Sequence, residues 1–340
     1  MAARIARKLR ILYMYPTKPY SIQNDLAILR RHFEVRELDV RLEKKTLGGM
    51  LRLFISLLKG VVWADLTYTW FADIQAKWAV RLSRIFGKRS IVAVGGYEVA
   101  KLPEISYGAA LDPKTARIVR YALEKADKVV TVDEALKRDA VKNIGVDGKN
   151  IETIPTAYET DKFAPGIEKD PRLVLTVGNL SKEVVIRKGL DVFVKAAAYL
   201  PDARFVVVGK QFDDSIDHLR KIAASNVEFA GFVSKERLVE YYQKAKVYCQ
   251  LSKYEGLPNA LVEAMLCECV PVGTEVSGIP TAIGDTGFYV PVGDAKATAE
   301  AIRRALASKK GKDARARVVS LFSAEKREQE LVRVINELAA

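Results

Sequence analysis

The sequence predicts an α/β protein made of two tandem doubly wound domains that face each other across a ligand cleft. Three observations carry this. The chain has 340 residues, more than one hydrophobic core usually serves, so two domains are expected. Strand-like runs alternate with helix-like runs along nearly the whole length, the βαβ rhythm of a parallel sheet covered on both faces. The rhythm pauses once, at "IPTAYETDKFAPGIEKDPR" (154–172). That stretch is polar, carries three prolines and lacks periodicity, as an interdomain linker would.

In the first half, "LRILYMY" (9–15), "FEVRELDV" (33–40), "ADLTYTW" (64–70), "RSIVAVGG" (89–96) and "KVVTVD" (128–133) read as strands. Helical stretches such as "DIQAKWAVRLSRIFG" and "PKTARIVRYALEKA" lie between them. After the pause come "LVLTVG" (173–178), "RFVVVG" (204–209), "NVEFAG" (226–231), "KVYCQLS" (246–252) and "VPVGTEV" (270–276). "KERLVEYYQKA" follows a good N-cap at Ser234. The final stretch reads as an amphipathic helix begun by Ser323. The expected domains are 1–165 and 166–322, with the helix over 323–340 packing back on the first. Open sheets of this kind bind ligands beyond the carboxyl ends of their strands.

Hydrophobic residues make up 49% of the chain and charged residues 29%, a balance that argues against wholesale disorder. No run of 18 apolar residues exists, so no membrane-spanning helix is expected. "MAARIARKLRILYMY" turns from basic to apolar, but the apolar part is short and rich in β-formers, so it reads as a first strand rather than a signal peptide. Cys249, Cys267 and Cys269 fit small buried residues of a reduced, cytoplasmic protein better than a disulfide framework. Cys267 and Cys269 also have a spacing that would suit a metal, yet His32 and His218 are distant in sequence, and no metal site is expected. A net charge of +13 suggests an anionic partner: nucleic acid, an acidic membrane surface or a phosphate-bearing ligand. A lysine- and arginine-rich surface of a heat-adapted protein would give the same sign.

Residues 47–62, "LGGMLRLFISLLKGVV", are apolar around most of a helical wheel, with one polar stripe of Arg52, Ser56 and Lys59. Arg41, Lys44 and Lys45 lie near its start. Packing against the first sheet is the preferred expectation. Docking on an anionic membrane, at the inner face, is the other.

Chemistry-bearing residues gather in the second half. Gly178 and Gly209 end strands, where a missing side chain lets backbone approach a ligand. Arg187, Lys188 and Gly189 stand before an expected helix and would suit an anion, or form a solvated basic turn. In "SKYEGLPNALVEAM" (252–265), Pro258 suits a first helical turn. Glu255 then lies in the loop at the helix mouth and Glu263 within the helix. Backbone N–H groups from Gly256 to Ala260 would suit phosphate, Pro258 itself having none. Eight helical residues span about 12 Å, the scale of a sugar diphosphate nucleotide, and carboxylates bind sugar diols. Glu255 would also be stable there merely as an acid at a helix N-terminus.

"SKYEGLPNALVEAM" resembles the E-x7-E signature of the family 4 retaining glycosyltransferases, which have the GT-B fold of two Rossmann-like domains. "LVLTVGNL…RKGLDVFVKAA", "RFVVVGK", "NVEFAGFVSKERLVEYYQKA", "CVPVGTEVSGIPTAIGDTGFYVPVGD" and "ADKVVTVDEALKRDAVKNIG…IPTAYETDKFAP" stand in the family's order. The resemblance covers essentially the whole chain and is densest over 127–295. It implies that Glu255 bonds the donor sugar and Glu263 the ribose diol. It implies that the backbone at Gly256, Leu257, Pro258 and Asn259 faces the diphosphate, and that Lys188 neutralises the leaving group without a metal. "VSGIP", with Gly278 and Ile279, resembles a donor-site loop. The implied partners are a UDP- or GDP-linked sugar and a hydroxyl acceptor on a lipid or glycan, with no nucleic acid and no cofactor. The resemblance implies retention, with the leaving phosphate as base.

The chain departs from the pattern in places. Many members carry an arginine where Asn179 stands, and the stretch to Lys188 is longer here, so Arg187 is the candidate replacement. The first βα loop, "YPTKPYSIQNDL", lacks the usual glycine pair, and Ser21 is read as a helix cap facing the cleft. Where relatives place a histidine, this chain has Gly95, Gly96, Tyr97 and Glu98, of which the last three are candidates for the acceptor side. The linker reads "IPTAYETDKF" where relatives commonly have Asn-Gly, taken as loop variation. Two other classes compete: a nucleotide-sugar epimerase of similar fold, disfavoured by the scarcity of histidine, and a basic nucleic-acid binder, for which no recognition motif is present.

Overall fold

Five consecutive buried side chains in Arg10–Tyr15 (β1) mark a strand covered on both faces. The computed structural model describes residues 7–17, 20–41, 46–166 and 168–340. The chain divides into two units, one running to Ala157 and including Ala324–Ala340, the other Tyr158–Ser323. The changeover falls before the prolines at 165 and 171, because Phe163 is fully buried against Tyr242 of the second unit, ring centroids 6.4 Å apart.

In the first unit β1 is joined by β2 (Glu34–Asp39), β3 (Leu66–Trp70), β4 (Arg89–Val94), β5 (Lys128–Thr131) and β6 (Ile151–Thr153). They pair in parallel in the order β2-β1-β3-β4-β5-β6. The connections carry α1 (Tyr20–His32), α2 (Leu47–Trp63), α3 (Ile74–Ile85), α4 (Pro113–Lys125) and α5 (Glu134–Asp139). Thr46, Asp73, Asp112 and Asp133 cap the last four by accepting backbone N–H bonds. The short edge strand β6 escaped the sequence reading, as did its counterpart in the second unit; three residues give too little alternation to register.

The second unit has β7 (Asp170–Val177), β8 (Arg204–Val208), β9 (Val227–Gly231), β10 (Ala245–Gln250), β11 (Val270–Thr274) and β12 (Phe288–Val290). Their order is β12-β11-β10-β7-β8-β9, again parallel. Its helices are α6 (Lys182–Lys188), α7 (Leu190–Ala196), α8 (Ser215–Ile222), α9 (Lys235–Lys244), α10 (Asn259–Leu266), α11 (Ile279–Ile283), α12 (Ala295–Ala307) and α13 (Gly311–Leu321). Counted from its own first strand, this order is the dinucleotide-fold order 3-2-1-4-5-6, while the first unit follows the flavodoxin-like order. The strand order therefore reverses between β1 and β3 in one unit and between β7 and β10 in the other. Those reversals open crevices at the carboxyl ends of the strands.

The last helix, α14 (Ala324–Ala339), belongs to the first unit. Arg327 on it is buried and forms a two-pronged ion pair with Asp25 of α1, at 2.5 and 2.7 Å. Trp70 Nε1 and the Tyr68 hydroxyl also donate to Asp25, and Arg327 donates to the carbonyls of Ile154 and Pro155. Two buried charges thus satisfy each other and most of their hydrogen-bonding capacity.

Helix α2 packs on the first sheet as expected, with Leu57 and Val61 in one core cluster with Leu12, Met14 and Val40 and with Leu53, Leu58 and Trp63 partly buried against it, but much of its apolar surface stays uncovered. Only Leu57 and Val61 of its side chains are fully buried, while Leu47 is 81% and Leu51 58% exposed. Lys44 and Lys45, read as flanking cations, lie outside the described residues.

Candidate functional site

The crevice between β7 and β10 gathers the charged residues singled out from the sequence. Gly178 directly follows β7, and Gly209 directly follows β8. A side chain at Gly209 would place Cβ 1.9 Å from the Gly178 carbonyl oxygen, so glycine is required for the two strand ends to meet. Beyond Gly178, Asn179 accepts from the Lys210 N–H through its side chain, and Ser181 caps α6.

The sequence placed Arg187 and Lys188 in a loop before a helix; they form the last turn of α6 instead. Ser181 starts a helix that the sequence reading did not recognise, and Gly189, at φ +64°, ends it and begins α7. Cβ at Gly189 would lie 2.4 Å from the Leu251 carbonyl oxygen, so this turn is seated on the end of β10. The Lys253 N–H donates to the Arg187 carbonyl at 2.7 Å, fixing the helix end to the loop that carries Glu255.

Glu255 is the centre of the cluster. Its Oε1 lies 3.5 Å from Lys188 Nζ and 3.6 Å from an Arg187 Nη. The same oxygen accepts from Ser252 Oγ at 2.9 Å and Gln250 Nε2 at 3.1 Å. Arg187 also bonds Glu183, and Lys188 donates to the Val177 carbonyl at 3.4 Å. Gln250 in turn accepts from the Tyr248 hydroxyl. The sequence reading missed Tyr248, Gln250 and Ser252. Their signal was available: they alternate with Val247, Cys249 and Leu251, polar groups lining one face of an otherwise apolar strand.

Pro258 occupies the cap position of α10 rather than its first turn. Asn259 opens the helix and accepts from the Tyr158 hydroxyl at 2.6 Å. Leu257 is buried, so at that position only backbone is offered to a ligand, beside Gly256. Glu263 is partly buried one turn in and accepts from the Tyr242 hydroxyl at 3.1 Å. Burial pushes its carboxyl up to about 7, against the pull of Lys235, Tyr242, Lys162 and Lys188. Burial lowers Lys235 in turn, while Glu263 opposes that shift. Gly278 precedes α11, and Ile279 is fully buried against the position of Gly273, so only its backbone is available.

In the first unit, Glu98 is not placed to touch a ligand. It is 4% exposed and accepts the N–H groups of Ala72, Gly95 and Gly96. Burial raises its carboxyl, tempered by those bonds. Glu98 thus ties together the loops that follow β3 and β4. Tyr97 is exposed and packs edge-on against Tyr107, and Gly96 takes φ +138°. Ser21 lies inside the first turn of α1, which begins at Tyr20, rather than at its cap. All three cysteines are buried, and burial pushes the Cys267 thiol up to about 12. Among the described residues no three His, Cys, Asp or Glu side chains cluster as metal ligands, and no helix is long and apolar enough to cross a membrane.

Two Rossmann-like units, each an open parallel sheet of six described strands, make this the GT-B class of α/β fold. Residues 157–319 match the family described as Glycosyl transferases group 1. Among curated proteins, the D-inositol 3-phosphate glycosyltransferase of Mycobacteroides abscessus is 28% identical over 55% of this chain and 46% of its own length. The N-acetyl-alpha-D-glucosaminyl L-malate synthase of Bacillus anthracis is 25% identical over 63% of this chain and 61% of its own. The chain spans about half the length of the first of these relatives and under two thirds of the second. Among solved structures, Anabaena HepE in complex with UDP superimposes with a TM-score of 0.78 at 15% identity, covering 97% of this chain and 100% of that one. The sucrose-phosphate synthase of Thermosynechococcus elongatus gives 0.79 at 20% identity, covering 97% and 99%. These matches support the group 1 glycosyltransferase family.

Proposed function

We propose that the chain is a retaining glycosyltransferase of family 4 that moves a hexosyl group from a UDP- or GDP-linked sugar to a hydroxyl of a lipid or glycan. The observation that carries this reading is the convergence of Lys188 and Arg187 on Glu255 at the β7–β10 reversal, at the mouth of the helix that bears Glu263. Two cations beside a helix N-terminus suit a diphosphate. Glu255 holds hydroxyls of the donor sugar, Glu263 holds the ribose diol, and the backbone of Gly256 to Asn259 lies along the diphosphate. In the reaction the sugar C1–O bond breaks and its electron pair passes to the diphosphate, whose new charge Lys188 and Arg187 stabilise. The acceptor oxygen bonds C1 on the face the phosphate leaves, and its proton passes to a phosphate oxygen. The cations carry the role a metal would otherwise fill, so turnover in EDTA is expected to match turnover without it.

The test is a screen of UDP- and GDP-sugars for slow hydrolysis and for transfer, with the anomeric configuration of the product read by NMR. Sugar release with retention supports the proposal. Release of an epimerised nucleotide sugar, or retention of DNA or RNA with no turnover, overturns it.

The Glu263 carboxyl adds a pH signature. Its folded-state value lies above the ordinary carboxylate range. The stability it contributes is therefore greatest in acid and falls as pH rises from that range through about 7. Ribose binding has the opposite sense, because the ionised form is the better diol acceptor. Between pH 6 and 8 nucleoside diphosphate affinity is expected to rise by up to about tenfold more in the wild type than in Glu263→Gln. Parallel titration curves for the two proteins in calorimetry would contradict the assignment.

A further inference from the structure

We propose that the α2–α3 face of the first unit is a docking surface for an anionic lipid bilayer. The two helices lie side by side, joined by an edge-on contact of Phe54 with Trp78 at 5.6 Å. Between them runs an apolar groove of about 420 Å³, lined by Leu47, Met50, Leu51, Phe54, Ile74 and Trp78 among others. Leu47, Met50, Leu51, Phe54, Ile55 and Val62 are all exposed on α2. At 100° per residue they fill an arc of about 140°. Its buried neighbours, Leu57 and Val61, lie toward one edge of that arc. Toward the other edge lie Arg52 and Lys59, both exposed. The outward face of α3 continues the pattern, with Ile74, Trp78 and Ile85 interleaved with Lys77, Arg81 and Arg84. Ile85 is 64% exposed, and Phe86 beyond it is exposed as well.

An exposed apolar patch of this extent marks an interaction surface on a soluble protein. Charge decides the partner. The two helices hold 17 and 12 residues and carry Arg52, Lys59, Lys77, Arg81 and Arg84 but no aspartate or glutamate. Acids number 42 among 340 residues, so about three or four would be ordinary in this length. An apolar arc beside cations, with no acid within it, complements an anionic lipid surface. The side chains enter the acyl boundary while lysine and arginine reach the headgroups. Neither helix is long and apolar enough to cross the bilayer, so both lie in the interface. The groove between them has room for part of one lipid chain.

The test is flotation of the full-length chain with phosphatidylcholine vesicles, with and without phosphatidylglycerol at roughly a third of the lipid. Binding is expected with the anionic vesicles, weak or absent with the neutral ones, and reduced by salt. Leu51→Asp with Ile55→Asp should abolish it. Arg52→Glu with Lys59→Glu should weaken it by about tenfold or more. All four positions are exposed, so unfolding midpoints and donor hydrolysis in water should be unchanged. That keeps a failure here separate from a failure of the proposed reaction. No flotation with anionic vesicles overturns the proposal. So do equal flotation of the double aspartate variant, equal binding to neutral vesicles, and a dimer that the same variant dissolves while vesicles go unbound.

Discussion

Lys188→Ala is expected to lower turnover by about 10²–10³-fold, the usual loss when one group that stabilises developing charge is removed. Lys188 is at the end of α6, and the turn that follows is fixed by Gly189 against the carbonyl of Leu251 and by the Lys253 N–H on the Arg187 carbonyl. Its ammonium group therefore stays near Glu255 with little freedom to lose. Arg187→Ala should cost about tenfold or more, because its guanidinium reaches the same carboxylate while also bonding Glu183. The double variant should lose less than the product of the two effects, since both cations act on one diphosphate. Near-normal turnover in both single variants would sink the assignment. Glu255→Gln should depress turnover and Glu263→Ala should chiefly weaken donor binding; the reverse pattern would exchange their roles.

The second large effect is on stability. Arg327→Met should destabilise the first unit by about 3–5 kcal/mol, because Asp25 would be left buried without its counter-ion. Asp25→Leu together with Arg327→Met should recover much of that loss, since an apolar pair of similar volume leaves no unpaired charge. The measurement is denaturant unfolding followed by tryptophan fluorescence. The chain has three tryptophans, Trp63, Trp70 and Trp78, all in the first unit, and Trp70 touches the pair itself. A loss below about 1 kcal/mol in the single variant would show that the pair contributes no more than a surface bridge.

Much of the fold was legible because parallel sheets write themselves as apolar runs separated by helices. β1 and β8 carry that pattern after a leading arginine, and β7 carries it from Leu173 onward. The start of α10 was legible for a similar reason, because Pro258 marks a helix entrance. What escaped depends on packing that local sequence does not record. Ser181 caps α6 across a stretch that looked like a loop. Glu98 was a candidate for the acceptor side, but three backbone N–H groups converge on its carboxylate, which is buried. The apolar length of α2 implied packing on the sheet, which Leu57 and Val61 make; that Leu47, Leu51 and Ile55 stay exposed depends on the helix's neighbours, which its own sequence does not record. Asp25 and Arg327 are ordinary charged residues until the last helix brings them together.

That pairing also orders events during synthesis. Arg327 is made 302 residues after Asp25. At roughly 5–20 residues per second, the interval is about 15–60 s. Throughout it the nascent first unit holds an acid destined for its core and no guanidinium to match it. The part of the chain that is translated first is therefore completed last, after the whole second unit has left the ribosome.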